Sequence, residues 1–507
     1  MTEPKNPKIN RSYVTIGENQ IHYRYSGKGP VLLLLHSLPR SSEDFNSLIL
    51  KLNKYFTLIA PDIPGYGQSK IREESENIEY NNFINDFLKS LNIKNVLIYG
   101  EQYGGILGLE FANQKPQKVS ALVVRDIPIQ EDIKNLYPPF KLQWDGSHLT
   151  WLWSFLREKE IFYPWNKASL INRLDKSMAT TNELQKYAIQ FLSSGQNGIN
   201  YQKGIFELNK INVRKVIALN TSPLLILYNK NINKYNNIKS KNIRYIETNN
   251  ENYANEIHNF LNSFHNKPIA FKPPKVKKIP GALTYDYINV GGGQLHYQSN
   301  TDINTTPLLI QHDAASAMTT VESITKSLIN IKSIFSFDMP GSGNSDRIIP
   351  EKDVSVATYS NVLSEALQNL GMNEIDFYGM WGGGFVGLDL SIETPTKVRK
   401  LAMSNVFDHQ GKELEEMLTN YTPDVSPLWH GGHLQQCWHQ MRDQGTFYPW
   451  FKNNQKHIIW REPHLQTEMV HGRVCSLLKA GNMYATAYKA HFKYQTHERL
   501  QKTKSPV

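Results

Sequence analysis

Val96-Leu97-Ile98-Tyr99-Gly100-Glu101-Gln102-Tyr103-Gly104-Gly105 and Ile375-Asp376-Phe377-Tyr378-Gly379-Met380-Trp381-Gly382-Gly383-Gly384 are two versions of one design. A short apolar run of strand type meets a turn flanked by glycines. A helix-type apolar run follows, Ile106-Leu107-Gly108-Leu109-Glu110-Phe111 in the first and Phe385-Val386-Gly387-Leu388-Asp389-Leu390 in the second. Small neighbours permit a strained strand-to-helix turn whose tip residue points into the cleft above it. The tips are Gln102 and Trp381. A carboxamide cannot be deprotonated to attack a carbonyl, and an indole has no nucleophilic heteroatom to offer. Twice, then, a turn suited to presenting a reactive group presents none.

The sequence on either side repeats as well. Gln20-Ile21-His22-Tyr23, Val31-Leu32-Leu33-Leu34-Leu35 and His36-Ser37-Leu38-Pro39 reappear as Gln294-Leu295-His296-Tyr297, Leu308-Leu309-Ile310 and His312-Asp313-Ala314-Ala315. Asp62-Ile63-Pro64-Gly65-Tyr66-Gly67-Gln68-Ser69 reappears as Asp338-Met339-Pro340-Gly341-Ser342-Gly343-Asn344-Ser345. Both helices stop near a proline, Pro116 and Pro395, ahead of the strands Ala121-Leu122-Val123-Val124 and Leu401-Ala402-Met403. Strands alternating with helices predict βαβ units around a mostly parallel sheet.

A histidine-containing loop after a strand, then D-x-P-G-x-G-x-S, then a G-x-x-x-G turn, in that order and twice over, resembles the α/β-hydrolase superfamily. The resemblance implies an α/β fold with two tandem hydrolase-like domains, each a mostly parallel sheet flanked by helices and carrying a helical cap after its sixth strand. A substrate pocket would lie between core and cap, above the carboxyl ends of the strands. The predicted limits are 10–265 for the first domain, with its cap at about 130–215, and 284–507 for the second, with its cap at about 411–500. Between them, 266–283 carries Pro268, Pro273, Pro274 and Pro280 with Lys272, Lys275, Lys277 and Lys278, an extended and solvated linker. Aligning Ser222-Pro223-Leu224 with Ser505-Pro506-Val507 puts Val507 at the start of a seventh strand. The second domain is therefore expected to lack its last two strands and helices, leaving an open edge for copy one, a second protomer or another polypeptide to cover.

The caps share a second pattern. Trp144-Asp145-Gly146-Ser147-His148-Leu149, then Trp153, Leu156, Arg157 and Phe162-Tyr163-Pro164-Trp165, matches Trp429-His430-Gly431-Gly432-His433-Leu434, then Trp438, Met441, Arg442 and Phe447-Tyr448-Pro449-Trp450 without a gap. Leu149, Trp153 and Leu156 share one helix face, as do Leu434, Trp438 and Met441. This W-x-G-x-H-L to F-Y-P-W pattern resembles a bacterial subgroup of the fold that commonly lacks serine at the elbow. One reading turns Trp144, His148, Arg157, Trp165, Trp429, His433, Arg442 and Trp450 toward a ligand, with arginine supplying a fork of donors. The other makes them cap architecture.

A hydrolase of this type needs an oxyanion hole, a nucleophile, an acid and a base histidine. The oxyanion loops are His36, Ser37 and Leu38 in one copy and His312 and Asp313 in the other, where Asp313 sets negative charge beside a developing oxyanion. After the seventh strand of copy one, Leu224-Leu225-Ile226-Leu227-Tyr228-Asn229-Lys230-Asn231 has no carboxylate, which leaves Asp126 as the candidate acid. Ile246-Glu247-Thr248-Asn249-Asn250-Glu251-Asn252 has no histidine. Glu101, beside the first tip, is a candidate general base if desolvated, or a helix-start charge. The catalytic candidates are thus Glu101, Gln102, Asp126 and Trp381.

The 507 residues suit two domains. No apolar run approaches the roughly 18 residues of a membrane span, and Met1 to Lys8 lacks the apolar centre of a secretory signal. Cys437 and Cys475, the only cysteines, form no disulfide framework and no metal-type spacing, so a reducing cytoplasm is the expected compartment. The net charge of +10 is scattered, without the basic and aromatic stripe of a nucleic-acid binder. No metal or cofactor is expected. Three functions follow: a protein that binds a small, partly hydrophobic ligand or promotes a reaction without a covalent intermediate; a hydrolase of a small ester using an unusual nucleophile such as Ser37; or a pseudoenzyme scaffold.

Overall fold

The computed structural model describes residues 9–72, 80–129, 133–175, 177–194, 198–229, 238, 242–248, 252–264, 268, 270–300, 303–394 and 396–507. Pro395, expected to stop the second elbow helix, and the loop residues Lys230, Asn231, Asn249, Asn250 and Glu251 lie outside the described residues.

Two compact units form. The first takes the described residues of Met1–Lys141, Glu158–Ser177 and Gln190–Lys277, and the second takes Leu142–Arg157, Met178–Ile189 and Lys278–Val507. Leu142–Arg157 and Met178–Ile189, which by sequence fall in the first cap, thus group with the second unit.

The first sheet contains β1 (Asn10–Ile16), β2 (Asn19–Ser26), β3 (Val31–Leu35), β4 (Thr57–Pro61), β5 (Val96–Glu101), β6 (Val119–Arg125), β7 (Leu224–Tyr228) and β8 (Ile243–Glu247), in the order β1-β2-β4-β3-β5-β6-β7-β8. The second contains β9 (Thr284–Val290), β10 (Gly293–Ser299), β11 (Leu308–Gln311), β12 (Ile334–Phe337), β13 (Glu374–Met380) and β14 (Lys397–Ser404), in the order β9-β10-β12-β11-β13-β14. Strand for strand, this repeats the first six of the other sheet. The first two strands of each unit pair antiparallel, and the central ones run parallel. Both sheets are mostly parallel, as the alternating pattern predicts.

β3 is wholly buried, the signature of a central parallel strand covered on both faces. On one face of the first sheet, helices Asn46–Leu52 and Tyr253–Leu261 supply Leu48, Ile49, Leu52, Ala254, Ile257, Phe260 and Leu261 to the core. The corresponding face of the second sheet is more open. Leu308, Ile310, Leu328, Phe377, Leu401 and Val507 are among the residues lining an apolar groove of about 550 Å³ there. The Leu401 N–H donates to Pro506 O at 2.9 Å, as the Leu122 N–H donates to Pro223 O at 2.9 Å.

The D-x-P-G-x-G-x-S segments brace each unit. Asp62 accepts from the N–H groups of Ser42 (2.7 Å) and Gln68 (2.8 Å) and pairs with His22 Nδ1 (2.8 Å). Asp338 does the same with Met318 (2.8 Å), Asn344 (2.9 Å) and His296 (2.9 Å). The second glycine of each segment, Gly67 (φ +55) or Gly343 (φ +52), passes so close that a Cβ would lie 2.3 Å from the aspartate.

Candidate functional site

In the first unit β5 runs into helix Tyr103–Gln114 through Gln102, held at φ 46 and ψ −116. The turn closes only because of the glycines: a Cβ on Gly104 would sit 2.3 Å from Leu35 O. Gln102 is exposed at the tip, and its Oε1 accepts from Ser37 Oγ at 2.6 Å. His36 is buried. Its Nδ1 lies 2.9 Å from Ser37 O, which can only accept, so Nδ1 carries the proton; its Nε2 accepts from the Ile63 N–H at 2.8 Å. Both ring nitrogens are thus committed to backbone, and burial holds the imidazole pKa below its ordinary value. Leu38 is buried beside them.

Glu101 accepts from Tyr99 OH at 2.6 Å and lies 3.7 Å from Arg125 Nη1. Burial raises its pKa, while Arg125 and the tyrosine hydroxyl oppose the rise. Arg125 stacks on the Tyr253 ring at 4.5 Å and reaches Asp126 Oδ2 at 3.4 Å. Asp126, at φ 50, accepts from the Asn229 N–H at 3.2 Å. The structure therefore brings Glu101 and Asp126 together on one guanidinium, and pairs Gln102 with Ser37.

In the second unit Trp381, at φ 52 and ψ −128, joins β13 to helix Gly382–Glu393. Here Asp313 occupies the turn. Its Oδ1 accepts from the N–H groups of Ala314 (2.7 Å) and Gly382 (2.9 Å), and its Oδ2 accepts from Tyr488 OH (3.2 Å). Burial pushes the Asp313 pKa up to about 6 against the pull of those donors. His312 repeats the habit of His36, with Nδ1 2.6 Å from Asp313 O and Nε2 accepting from the Met339 N–H at 3.3 Å. His491, on helix Met483–Phe492, lines a closed space of about 10 Å³ together with Asp313, Ser342 and Tyr359. That is room for about one water. Burial lowers the His491 pKa to about 4, and its Nδ1 donates to Ala487 O at 2.6 Å.

The Trp381 ring lies 6.2 Å from Tyr448 and 6.4 Å from Phe407, centroid to centroid. Tyr448 OH is 3.1 Å from His409 Nε2, and His409 Nδ1 is 2.9 Å from Glu413 Oε1.

Residues 30–237 match the family described as alpha/beta hydrolase fold. Over that stretch the chain is similar to the α/β-hydrolase superfamily. An uncharacterized Mycobacterium tuberculosis protein is 40% identical over 103 residues, 20% of this chain and 30% of that protein. A haloalkane dehalogenase of Mesorhizobium japonicum is 32% identical over 114 residues, 22% of this chain and 37% of that enzyme. Epoxide hydrolase 4 of Mus musculus is 23% identical over 235 residues, 43% of this chain and 64% of that protein. The chain thus spans between 30 and 64% of the length of these curated relatives. Among the described residues no helix is long and apolar enough to cross a membrane.

The residues of the second repeated pattern have definite places. His148 and His433 are buried in the first turns of helices Ser147–Ile161 and Gly432–Asp443. Each Nδ1 accepts a backbone N–H from five residues upstream, Gln143 or Leu428, at 3.1 Å. The other nitrogen of His148 meets His471 Nδ1 at 3.2 Å, and that of His433 meets Gln185 Oε1 at 3.0 Å. Burial lowers both pKa values to about 4. Arg157 stacks over the Trp429 ring at 4.6 Å, and Trp153 Nε1 donates to Trp429 O at 2.8 Å. Arg442 lies 4.0 Å from Asp443, and Trp144 is 73% exposed. Trp165 and Trp450 each donate to a backbone carbonyl, of Leu136 and Tyr421 respectively, at 3.0 Å. His148, Arg157, Trp429 and His433 therefore gather in the second unit, around Trp153 and Trp438.

Sequence reasoning missed His409, Glu413, Tyr488 and His491, and it read Tyr448 only as part of the repeated F-Y-P-W pattern. The available signal was the four-residue spacing of His409 and Glu413 across the start of helix Gly411–Asn420. Tyr488 and His491 reach the turn only through the packing of helix Met483–Phe492.

Proposed function

We propose that this chain does not perform serine-type acyl transfer at either elbow, and that it binds a small, partly hydrophobic molecule there or acts on one without a covalent intermediate. The observation that carries this reading is the position of Asp313. Acyl transfer needs the backbone N–H following the tip residue, with a second N–H, aimed at a developing oxyanion. In the second unit the Gly382 N–H is bonded to a carboxylate. A second negative charge about 4 Å from an ionised Asp313 would be opposed by roughly 4 kcal/mol at an effective dielectric constant of 20.

The first unit supports the same reading through chemistry: its tip is a glutamine bonded to Ser37, and the imidazole next to Ser37 has both nitrogens on backbone. What both sites retain is a carboxyl group whose pKa burial raises, Glu101 and Asp313, each a candidate for moving a proton. Two relatives are named haloalkane dehalogenase and epoxide hydrolase, names that fit apolar molecules with one polar reactive end. The proposal places the chain in the cytoplasm, in two domains over 10–265 and 284–507 apart from Leu142–Arg157 and Met178–Ile189, which group with the second, and with a second copy or another polypeptide on the apolar groove of the second sheet.

Incubation with p-nitrophenyl esters and a serine-directed phosphonate is the direct test. The expected result is no burst and no adduct, together with a thermal shift from members of an acyl and aromatic compound set. A burst abolished by Ser37→Ala would overturn the proposal.

A further inference from the structure

Several buried histidines are braces. His36, His312, His148 and His433 each give at least one ring nitrogen to the backbone. His409 differs, since its two recorded hydrogen bonds run to side chains that themselves exchange protons: Tyr448 OH at 3.1 Å on Nε2 and Glu413 Oε1 at 2.9 Å on Nδ1. An ionised carboxylate only accepts, so Glu413 keeps the proton on Nδ1 and turns the Nε2 lone pair toward the tyrosine hydroxyl. The order hydroxyl, imidazole, carboxylate is that of a general-base relay.

Placement gives the relay a target. The Tyr448 ring lies beside the elbow tip, inclined 25° to Trp381, while Phe407 flanks both Trp381 and His409. The imidazole is 4% exposed and the Glu413 side chain 61%, so the chain of hydrogen bonds begins beside the tip and ends in water.

We propose that Tyr448, His409 and Glu413 form the proton-transfer relay of the second unit, serving a planar, largely apolar ligand that carries a carbonyl or enol oxygen and lies against Trp381. In one direction a ligand proton passes to the phenol oxygen as the phenol proton moves to His409 Nε2, and Glu413 stabilises the imidazolium. The reverse transfer returns both protons. No covalent bond to the protein forms, and no other reactant is needed. The inference rests on the reading that this unit works without an acyl intermediate.

The relay can be tested without knowing the ligand, by reacting the full chain with benzenesulfonyl fluoride. The phenol oxygen attacks sulfur, the S–F bond breaks, fluoride leaves and the phenol proton goes to Nε2. Peptide mapping should find Tyr448 the dominant modified residue among the 26 tyrosines. Tyr448→Phe should remove that adduct, and His409→Gln should slow its formation about 100-fold, the low side of the usual contribution of a general base. Glu413→Gln, at an exposed position that leaves folding intact, should slow it about 3-fold or more. Labelling spread evenly over tyrosines, or a Tyr448 rate unchanged in Glu413→Gln, overturns the relay and makes His409 a brace between loop and cap. An adduct on Ser37 would instead overturn the function proposed above, so the two failures are told apart.

Discussion

At the scale of single residues, Asp313 is the most informative position. Its carboxylate makes three hydrogen bonds and still has a pKa pushed up to about 6, because burial penalises the charge more than the donors relieve it. A carboxyl whose folded pKa exceeds its unfolded value near 3.9 contributes stability below about pH 4 and loses it as pH rises through about 6. Asp313→Asn keeps an oxygen for the two N–H groups and cannot ionise. The variant should therefore gain on the order of 1 to 3 kcal/mol relative to the parent between pH 4 and pH 7.5, read from urea unfolding at both values. An unchanged difference would mean that water reaches the carboxylate freely. The identity of Asp313 was legible in the sequence, but its occupation of the Gly382 N–H was not, because that contact joins residues 69 positions apart.

At the scale of elements, the two strand-to-helix turns depend on backbone approaching backbone. A Cβ on Gly104 would meet Leu35 O at 2.3 Å, and one on Gly383 would meet His312 O at 2.4 Å. Neither neighbour is a flexible side-chain end. Gly104→Ala or Gly383→Ala should accordingly cost about 2 to 4 kcal/mol, measured by chemical denaturation, whereas Gly472→Ala, with nothing near its Cβ, should be neutral or slightly stabilising. Helix Ser147–Ile161 depends on packing instead. Trp153 is 1% exposed and edge-on to His433 at 4.7 Å, so Trp153→Ala should destabilise by about 3 to 5 kcal/mol in a thermal or urea melt. Helix Val356–Asn369 begins with a capping box of Ser355 and Thr358, and Ser355→Ala should cost about 1 kcal/mol.

At the scale of the whole molecule, the apolar groove on the second sheet predicts that the chain binds a fluorescent apolar dye at neutral pH, and that Leu328→Glu, on the groove wall, weakens the signal. Dye fluorescence equal in the two proteins would show that the groove is not open in solution. The repeated motif order, the mostly parallel sheets and the likeness to α/β-hydrolases could be read from the chain alone, because apolar periodicity and glycine-proline punctuation are local properties repeated in the same order: Val31 to Leu35 declares a buried strand, and Gly100 to Gly105 declares a tight turn. Which unit holds Leu142–Arg157, which side chain fills the N–H pair at the second tip, and which hydroxyl faces His409 were decided only by tertiary structure. Those outcomes depend on contacts between residues distant in sequence, where burial, shape and hydrogen-bond competition act together and no local pattern records the winner.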